Sequence, residues 1–485
     1  MENGLKPSFD EKESKKTEKD VASLNECNEN GCNAHKIGET AFAPDEDVPM
    51  HDVTYSPASP DPPNGVKGTK RDVVLGGNHA KLDEDVLVHR SNDPAWEAER
   101  NHYKKIVNTF RTYGNHIYKK LGGTRNYLKS LPTEHQRLLT NYRKHLHDIK
   151  RCVEENQNLC ILMTLEESHL FENQHEVYPT KKMKQAPPEP TNYDYEKVQA
   201  IFKQIVRDWS NDGQEERDTC YKPIIEEVER EFQKTKNEDG ISPIKILVPG
   251  AGLGRLAHEL VCRGYVVEGN EFSLFMLFAS NFLLNKCFEE EQYKCFPWVH
   301  QTTNVLNRDD QIRAVLFPDI RPCDLPPDSK FSMTGGDFLE VYGTMSQKEN
   351  WDCLATCFFI DCANNIVAYL ERIYYCLKLG GIWVNMGPLL YHYADLSEEK
   401  SIEPSYDILR EIIQSMGFII EKEETNRPTL YADNSKSMLS YTYNSVFLVC
   451  RKGLPPARVP SSPCKSVTSS PTKSKPTTTT EDNKS

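Results

Sequence analysis

One stretch constrains this chain more than any other: IKILVPGAGLGRLA, residues 244–257. IKILVPG (244–250) is a short, β-rich apolar run suited to a strand buried on both faces. Gly250, Gly252 and Gly254 then turn the chain into a helix-compatible stretch, and YVVEGNE (265–271) reads as a second strand. Glycines at such a turn permit a tight bend and let backbone N–H groups approach a ligand closely. A dinucleotide fingerprint, G-x-G-x-x-G, wants its third glycine where Arg255 stands. The pattern present is G-x-G-x-G, a poorer cradle for a pyrophosphate than for a smaller ligand. Glu271 lies 21 residues after Gly250, at the end of the second strand. A carboxylate there can accept both hydroxyls of an adenosine ribose. The competing reading is a glycine turn that only packs.

The texture downstream repeats this alternation. WDCLATCFFID (351–361) and GGIWVNMGPLL (380–390) read as strands separated by a helix-like stretch, Ile366–Leu377. Strand–helix alternation of this kind implies an α/β, doubly wound sheet. GFIIEKEE (417–424) and YNSVFLVCRK (443–452) leave no room for a helix between them, so a closing antiparallel strand pair is expected. Upstream the apolar period is helical. Asp93 is a good N-cap with Pro94 at the first helical position, and Gly122–Gly123 is expected to stop that helix. Further helices are expected from Thr133 and over Tyr193–Trp209. The organisation predicted is a disordered leader (1–90), a helical N-terminal lobe (91–235), the α/β domain (236–453) and a disordered tail (454–485). Hydrophobic residues make up 38%, below the ~45–50% of an ordinary globular domain, which agrees with long disordered ends.

The combination of turn, strand context and Glu271 resembles the class I S-adenosylmethionine-dependent methyltransferases. LKLGG (377–381) looks like that superfamily's entry to strand five, and GGDF (335–338) like its adenine-binding turn. One departure is that Val248 stands where an acidic residue often precedes the first glycine. A narrower resemblance rests on longer strings. VRDWSNDGQEERDTCYKPI (206–224), ILVPGAGLGRLA (246–257), EGNEFSLFMLFASNFLLN (268–285), CFPWVHQ (295–301), FSMTGGDFLEVY (331–342), WDCLATCFFIDCANN (351–365) and GGIWVNMGPLLYHY (380–393) are similar to the carnosine N-methyltransferase family. The resemblance runs from about Asp93 to Arg451. It implies a Rossmann-like class I methyltransferase fold, S-adenosylmethionine as methyl donor, and methylation of an imidazole nitrogen of carnosine (β-alanyl-histidine) or related histidine dipeptides.

Carried over by motif, the resemblance implies that Gln204 and Arg207 hold the cofactor's methionine end. Both lie on one face of the helix expected over 193–209, and Arg can grip a carboxylate with two N–H groups. Gly250, Gly252 and Glu271 would contact the cofactor's backbone and ribose. Asp337 and Phe338 would hold the adenine, by hydrogen bonding and by stacking. Cys357 matches a cofactor-contacting position, although on its own it reads as a small buried apolar residue. Asp361 and His392 are the expected catalytic residues, and Asp361, His392, Tyr441 and Tyr443 the expected substrate-binding ones. Asp361 ends the fourth strand, where ligands of open α/β sheets sit. The base-amine methyltransferase motif, Asn/Asp-Pro-Pro-aromatic, is replaced here by Asp361-Cys362-Ala363-Asn364. Tyr441 and Tyr443 are expected to alternate onto one face of the last strand, with Thr442 on the other.

Other function classes are weighed by charge and spacing. The net charge of −13 argues against a body that neutralises phosphates, so no nucleic-acid partner is expected. No uncharged apolar run approaches the ~18–20 residues that span a membrane, and the N-terminus lacks a secretory signal. The cytosol is the expected compartment, with the nucleus also open to it. The fifteen cysteines are scattered with no C-x-x-C, so reduced thiols and no metal site are expected; Cys27, Cys32 and His35 imitate only half a zinc motif. A homodimer is an inference from the family alone. Two alternatives remain at this stage: a protein-histidine methyltransferase, and a catalytically silent S-adenosylmethionine-binding module.

Overall fold

The computed structural model describes residues 74–75, 94–165, 188–394, 396 and 399–454. The expected cap at Asp93, nearly all of the leader and all of the tail beyond Leu454 lie outside the described residues.

The N-terminal lobe is helical. Pro94–Ser130, Thr133–Leu138, Thr140–Met163, Asn192–Trp209 and Gln214–Phe232 are its helices. Buried Leu146, Ile149, Val153, Cys160 and Met163 fall on one stripe of Thr140–Met163, the pattern of a helix that covers a core with one face. Asn192–Trp209 starts at a capping box, in which the Thr191 hydroxyl accepts from Asp194 N–H and the Asp194 carboxylate accepts from Thr191 N–H. The expected stop at Gly122–Gly123 is corrected, because the first helix continues through both glycines to Ser130. A side chain at either glycine would meet nothing, so they sit on an open flank, and the buried Leu128 beyond them rewards continuing the turn. Two helical glycines cost about 1 kcal/mol each.

The α/β region is an eight-stranded sheet. Its strands are β1 (Val74–Leu75), β2 (Lys245–Pro249), β3 (Val266–Glu271), β6 (Phe331–Gly335), β7 (Trp351–Cys357), β8 (Leu377–Gly387), β9 (Phe418–Thr429) and β10 (Tyr443–Lys452). A separate antiparallel pair, β4 (Tyr293–Cys295) with β5 (Val315–Phe317), stands beside it. The order is β1-β6-β3-β2-β7-β8-β10-β9, parallel from β1 to β8 and antiparallel for the last two. This is the expected doubly wound sheet with its closing antiparallel pair. The expectation of a wholly unstructured leader is corrected at Val74–Leu75, two apolar residues that extend the sheet beside Ser332 and Met333.

Why β2 reads as an unbroken apolar run is visible in its packing. Ile246 and Val248 join one core cluster and Leu247 the other, because successive side chains leave opposite faces. The first cluster holds the lobe helices together with helices Arg255–Cys262 and Leu274–Lys286. The second holds Ile366–Cys376 and Tyr406–Ser415. The lobe and the sheet therefore form one compact unit. A buried ionic link reinforces it. Asp319 accepts from Arg255 (Nη1 2.6 Å, Nη2 3.2 Å) and from Arg217 (Nη2 2.7 Å), and Arg255 also donates to Asp208 O at 2.8 Å. Arg255 occupies the position where a dinucleotide fold would have its third glycine, and here it ties the lobe to the helix after the glycine turn. Among the described residues no helix is long and apolar enough to cross a membrane, and the described cysteines are free thiols.

Candidate active site

At the carboxyl ends of β2, β3, β6, β7 and β8 the connecting loops surround a cavity of about 700 Å³. Open α/β sheets place their ligands at this edge, where strand ends point backbone groups and loop side chains into one crevice. Gln204, Arg207, Gly250, Gly252, Glu271, Asp337, Phe338, Cys357, Asp361, His392 and Tyr443 all line it. These residues come from the lobe, five strand ends and the last strand, so the fold gathers side chains nearly 240 positions apart.

The glycine turn forms one wall. Gly250 and Gly252 hold φ of +67° and +56°, in the left-handed region that other residues enter only with strain. A Cβ on Gly250 would lie 2.5 Å from Phe359 Cδ2, whereas one on Gly252 would meet nothing. Glu271 is held beside the turn: its Oε2 accepts from Gly252 N–H (2.9 Å) and its Oε1 from Ser273 N–H (2.7 Å). Burial pushes this carboxyl above its ordinary range, and the two N–H donors pull it back. Gly250→Ala is expected to cost about 1–3 kcal/mol through the Phe359 clash and the positive φ. Thermal melting and a binding isotherm for S-adenosylhomocysteine together check it; an unchanged melting temperature with unchanged affinity contradicts the close packing.

The opposite wall comes from the lobe. Arg207 is buried, and its guanidinium lies 4.8 Å from the ring centres of both Tyr221 and Tyr431. Its Nη1 donates to Tyr221 Oη at 2.8 Å, its Nη2 faces Cys357 Sγ at 3.8 Å, and Glu216 Oε1 lies 2.8 Å from its Nε, off the N–H axis. Gln204 Nε2 donates to Tyr431 Oη at 2.9 Å. At the adenine-turn end, Asp337 caps helix Phe338–Val341 by accepting from Leu339 and Glu340 N–H. Phe338 is buried edge-on against Phe359 and Tyr369.

Asp361 sits on the floor between these walls, only 2% exposed. Its Oδ2 accepts from Leu390 N–H at 2.8 Å, while its Oδ1 is buried without a partner. Burial raises its pKa, with the Leu390 N–H and the neighbouring His392 opposing that shift. The His392 N–H in turn donates to Asp361 O at 3.1 Å, so the two residues share one corner. The backbone around them is strained: Phe358, at the end of β7, and Tyr391, just before His392, have φ of +53° and +43°. Such outliers persist where surrounding packing over-determines them, and they cluster at functional sites. Phe358 N–H is fixed to Met386 O at 2.8 Å.

A sequence profile described as carnosine N-methyltransferase matches residues 184–453. The carnosine N-methyltransferase of Rattus norvegicus is 45% identical over 354 residues, covering 73% of this chain and 86% of that protein. The Drosophila melanogaster protein, carnosine N-methyltransferase unmet, is 43% identical over 391 residues, covering 77% and 84%. That of Schizosaccharomyces pombe is 36% identical over 374 residues, covering 73% and 96%. The chain belongs to the carnosine N-methyltransferase family.

One expectation about this family member is corrected by the structure. Tyr441 is 66% exposed, outside the cavity lining and outside the strand. β10 begins at Tyr443, paired with Thr429, so the alternation rule that put both tyrosines on one face does not reach Tyr441. Tyr443 lines the cavity and meets Phe358 edge-on at 5.8 Å. The place expected for a second tyrosine is taken by Tyr431, whose ring lies 4.8 Å from that of Phe358 at a 37° tilt. Tyr431 sits in a loop pinned to the lobe by Glu216, which accepts from Ala432 N–H, and to the segment after β4 by Asn434, which donates to Gln301. Nothing in the spacing of a polar loop marks such a residue. Tyr221, Phe358 and Tyr393 also line the cavity without having stood out in the sequence. Their one signal was membership of the strings that carry the family resemblance: Tyr221 in 206–224, Phe358 in 351–365 and Tyr393 in 380–393.

Proposed function

We propose that this chain methylates an imidazole nitrogen of carnosine, and of related histidine dipeptides, using S-adenosylmethionine. The observation that carries the reading is Asp361, a buried carboxylate with one oxygen held by Leu390 N–H and the other, unpartnered, on the floor of the cavity. The residues around it fit the methyl donor. Gly252 presents a face that a Cβ would occupy, Glu271 stands beside it for ribose hydroxyls, and Arg207 with Gln204 offers donors to a carboxylate. Asp337 and Phe338 line the same cavity and would hold the adenine. S-adenosylmethionine supplies, when bound, a methyl carbon open to in-line displacement.

The rest is the protein's work. Neutral imidazole carries one N–H and one bare nitrogen. Asp361 Oδ1 accepts the N–H, which fixes the tautomer, leaves the other nitrogen bare for attack and stabilises the cation that forms. A strong base is not needed before attack. His392 shares this corner, and Tyr443 and Tyr431 line the same cavity and would help orient the ring. An orienting carboxylate this deeply placed suits a small imidazole ligand that enters the cavity whole.

The test is S-adenosylmethionine turnover by the purified chain with carnosine, free histidine as control, and product identification by mass and NMR. Anserine formed on carnosine with little product on histidine is the expected result. Cofactor binding without turnover on either compound overturns the reading and shifts the weight to a histidine within a protein.

A further inference from the structure

Three side chains of metal-ligating type meet in the cavity corner. One ligand atom each from Asp361, Cys362 and His392 lies within 4.8 Å of the others, and Cys362 Sγ is 3.9 Å from His392 Nε2. We propose that this trio is an inhibitory zinc site, at which bound zinc(II) blocks methylation of the imidazole substrate.

The donor set is the first argument. Thiolate, imidazole and carboxylate together are the ligands zinc takes, at about 2.3, 2.0 and 2.0–2.2 Å. Those bond lengths put the sulfur and nitrogen of a tetrahedral site about 3.6 Å apart, so the observed pair needs to close by only a few tenths of an ångström. The second argument is the state of Asp361. Leu390 N–H holds its Oδ2, as an outer hydrogen bond holds a metal-ligating carboxylate, and the buried Oδ1 is left without a partner. Adjacent residues deliver the carboxylate and the thiol, and the loop after β8 delivers the imidazole. Zinc binding releases the Cys362 thiol proton to solvent and leaves a fourth position open to the cavity.

Inhibition follows from what the ion occupies. Zinc on Asp361 Oδ1 removes the acceptor for the substrate N–H. A substrate imidazole that fills the fourth position gives zinc the same lone pair that must attack the methyl carbon. The blocking step rests on the role proposed for Asp361; the binding step does not.

The full-length, reduced, metal-free chain is titrated with zinc chloride against a chromophoric chelator, alongside Cys362→Ala and His392→Gln. Wild type is expected to hold one zinc that both variants bind at least about tenfold more weakly. Equal affinity in wild type and variants overturns the site. Wild-type turnover is then followed with free zinc fixed by a metal buffer, since the dipeptide itself binds the ion. Zinc is expected to suppress carnosine turnover at the concentrations that fill the site. Full turnover with the site filled overturns the inhibition. Absence of turnover before zinc is added counts against the proposed reaction instead, and the chelator titration still decides the binding.

Discussion

Asp361→Asn is expected to lower kcat by about 10²- to 10⁴-fold while leaving S-adenosylmethionine affinity within about twofold, and to raise the melting temperature. The catalytic part follows from hydrogen-bond polarity. With its carbonyl oxygen kept on Leu390 N–H, the asparagine turns an NH₂ toward the place where Oδ1 meets the imidazole N–H. A donor then faces a donor, the productive tautomer is disfavoured, and the cation that forms loses its counter-charge; losses of this kind run to about 10²–10⁴. The stability part follows from the sign of the pKa shift. Burial lifts the Asp361 carboxyl above the usual aspartate range. Below that usual range the folded and unfolded chains both hold the proton, and the site costs nothing extra. As pH rises through the raised value, the folded chain carries a desolvated charge that the unfolded chain hydrates, and stability falls. Asparagine has no charge to desolvate, so near neutral pH the variant should melt higher than wild type. The gain should vanish toward pH 4. Steady-state kinetics and melting curves at two pH values check both halves; a kcat near wild type removes Asp361 from the chemistry.

Asp319→Ala is expected to be the most destabilising single change, by about 3–5 kcal/mol, with a fall in melting temperature of roughly 10 °C. Asp319 is the carboxylate shared by two guanidiniums, and the three side chains are only 4–5% exposed. Taking one partner from a buried ionic group leaves its charges poorly compensated, and here two cations remain facing each other with Glu259 still paired to Arg255 at 2.9 Å. Asp319→Asn keeps an acceptor and should lose about half as much. The damage should reach the site as well, because Arg217 Nη1 also donates to the Arg207 and Ser210 carbonyl oxygens at 2.8 Å and so sets the end of the helix that carries Gln204 and Arg207. Cofactor affinity is therefore expected to fall together with stability. Calorimetry and a cofactor-binding isotherm check this; a melting temperature within 2–3 °C of wild type contradicts the role given to this link.

Much of the site was legible because it lies on regular elements with local signatures. IKILVPG had to be a doubly buried strand, and its glycines had to be a turn against a ligand or a neighbour. Glu271 ends β3, and Asp361, expected at the end of its strand, instead lies in the short turn Ile360–Cys362 just beyond β7, at the same edge where ligand-facing residues of such sheets are found. What local pattern could not decide depended on packing partners distant in sequence. Gly122–Gly123 carries a strong stop signal, yet buried Leu128 beyond it keeps the helix going. The last strand begins at Tyr443 as expected, so the alternation extended back to Tyr441 has no strand to act on, and Tyr441 stays outside the cavity lining.

By itself, then, the sequence determined the sheet, its glycine turn, the strand-end acids and the family, since each follows from periodicity, spacing or long matching strings within a local stretch. Only the tertiary structure decided that Tyr431 stacks beside Arg207, that Arg255 shares Asp319 with Arg217, and that His392 meets Cys362 and Asp361 from 30 residues away. Those pairings arise from the closing of long loops over a two-faced core, and the order of residues along the chain carries no mark of which loop ends will touch.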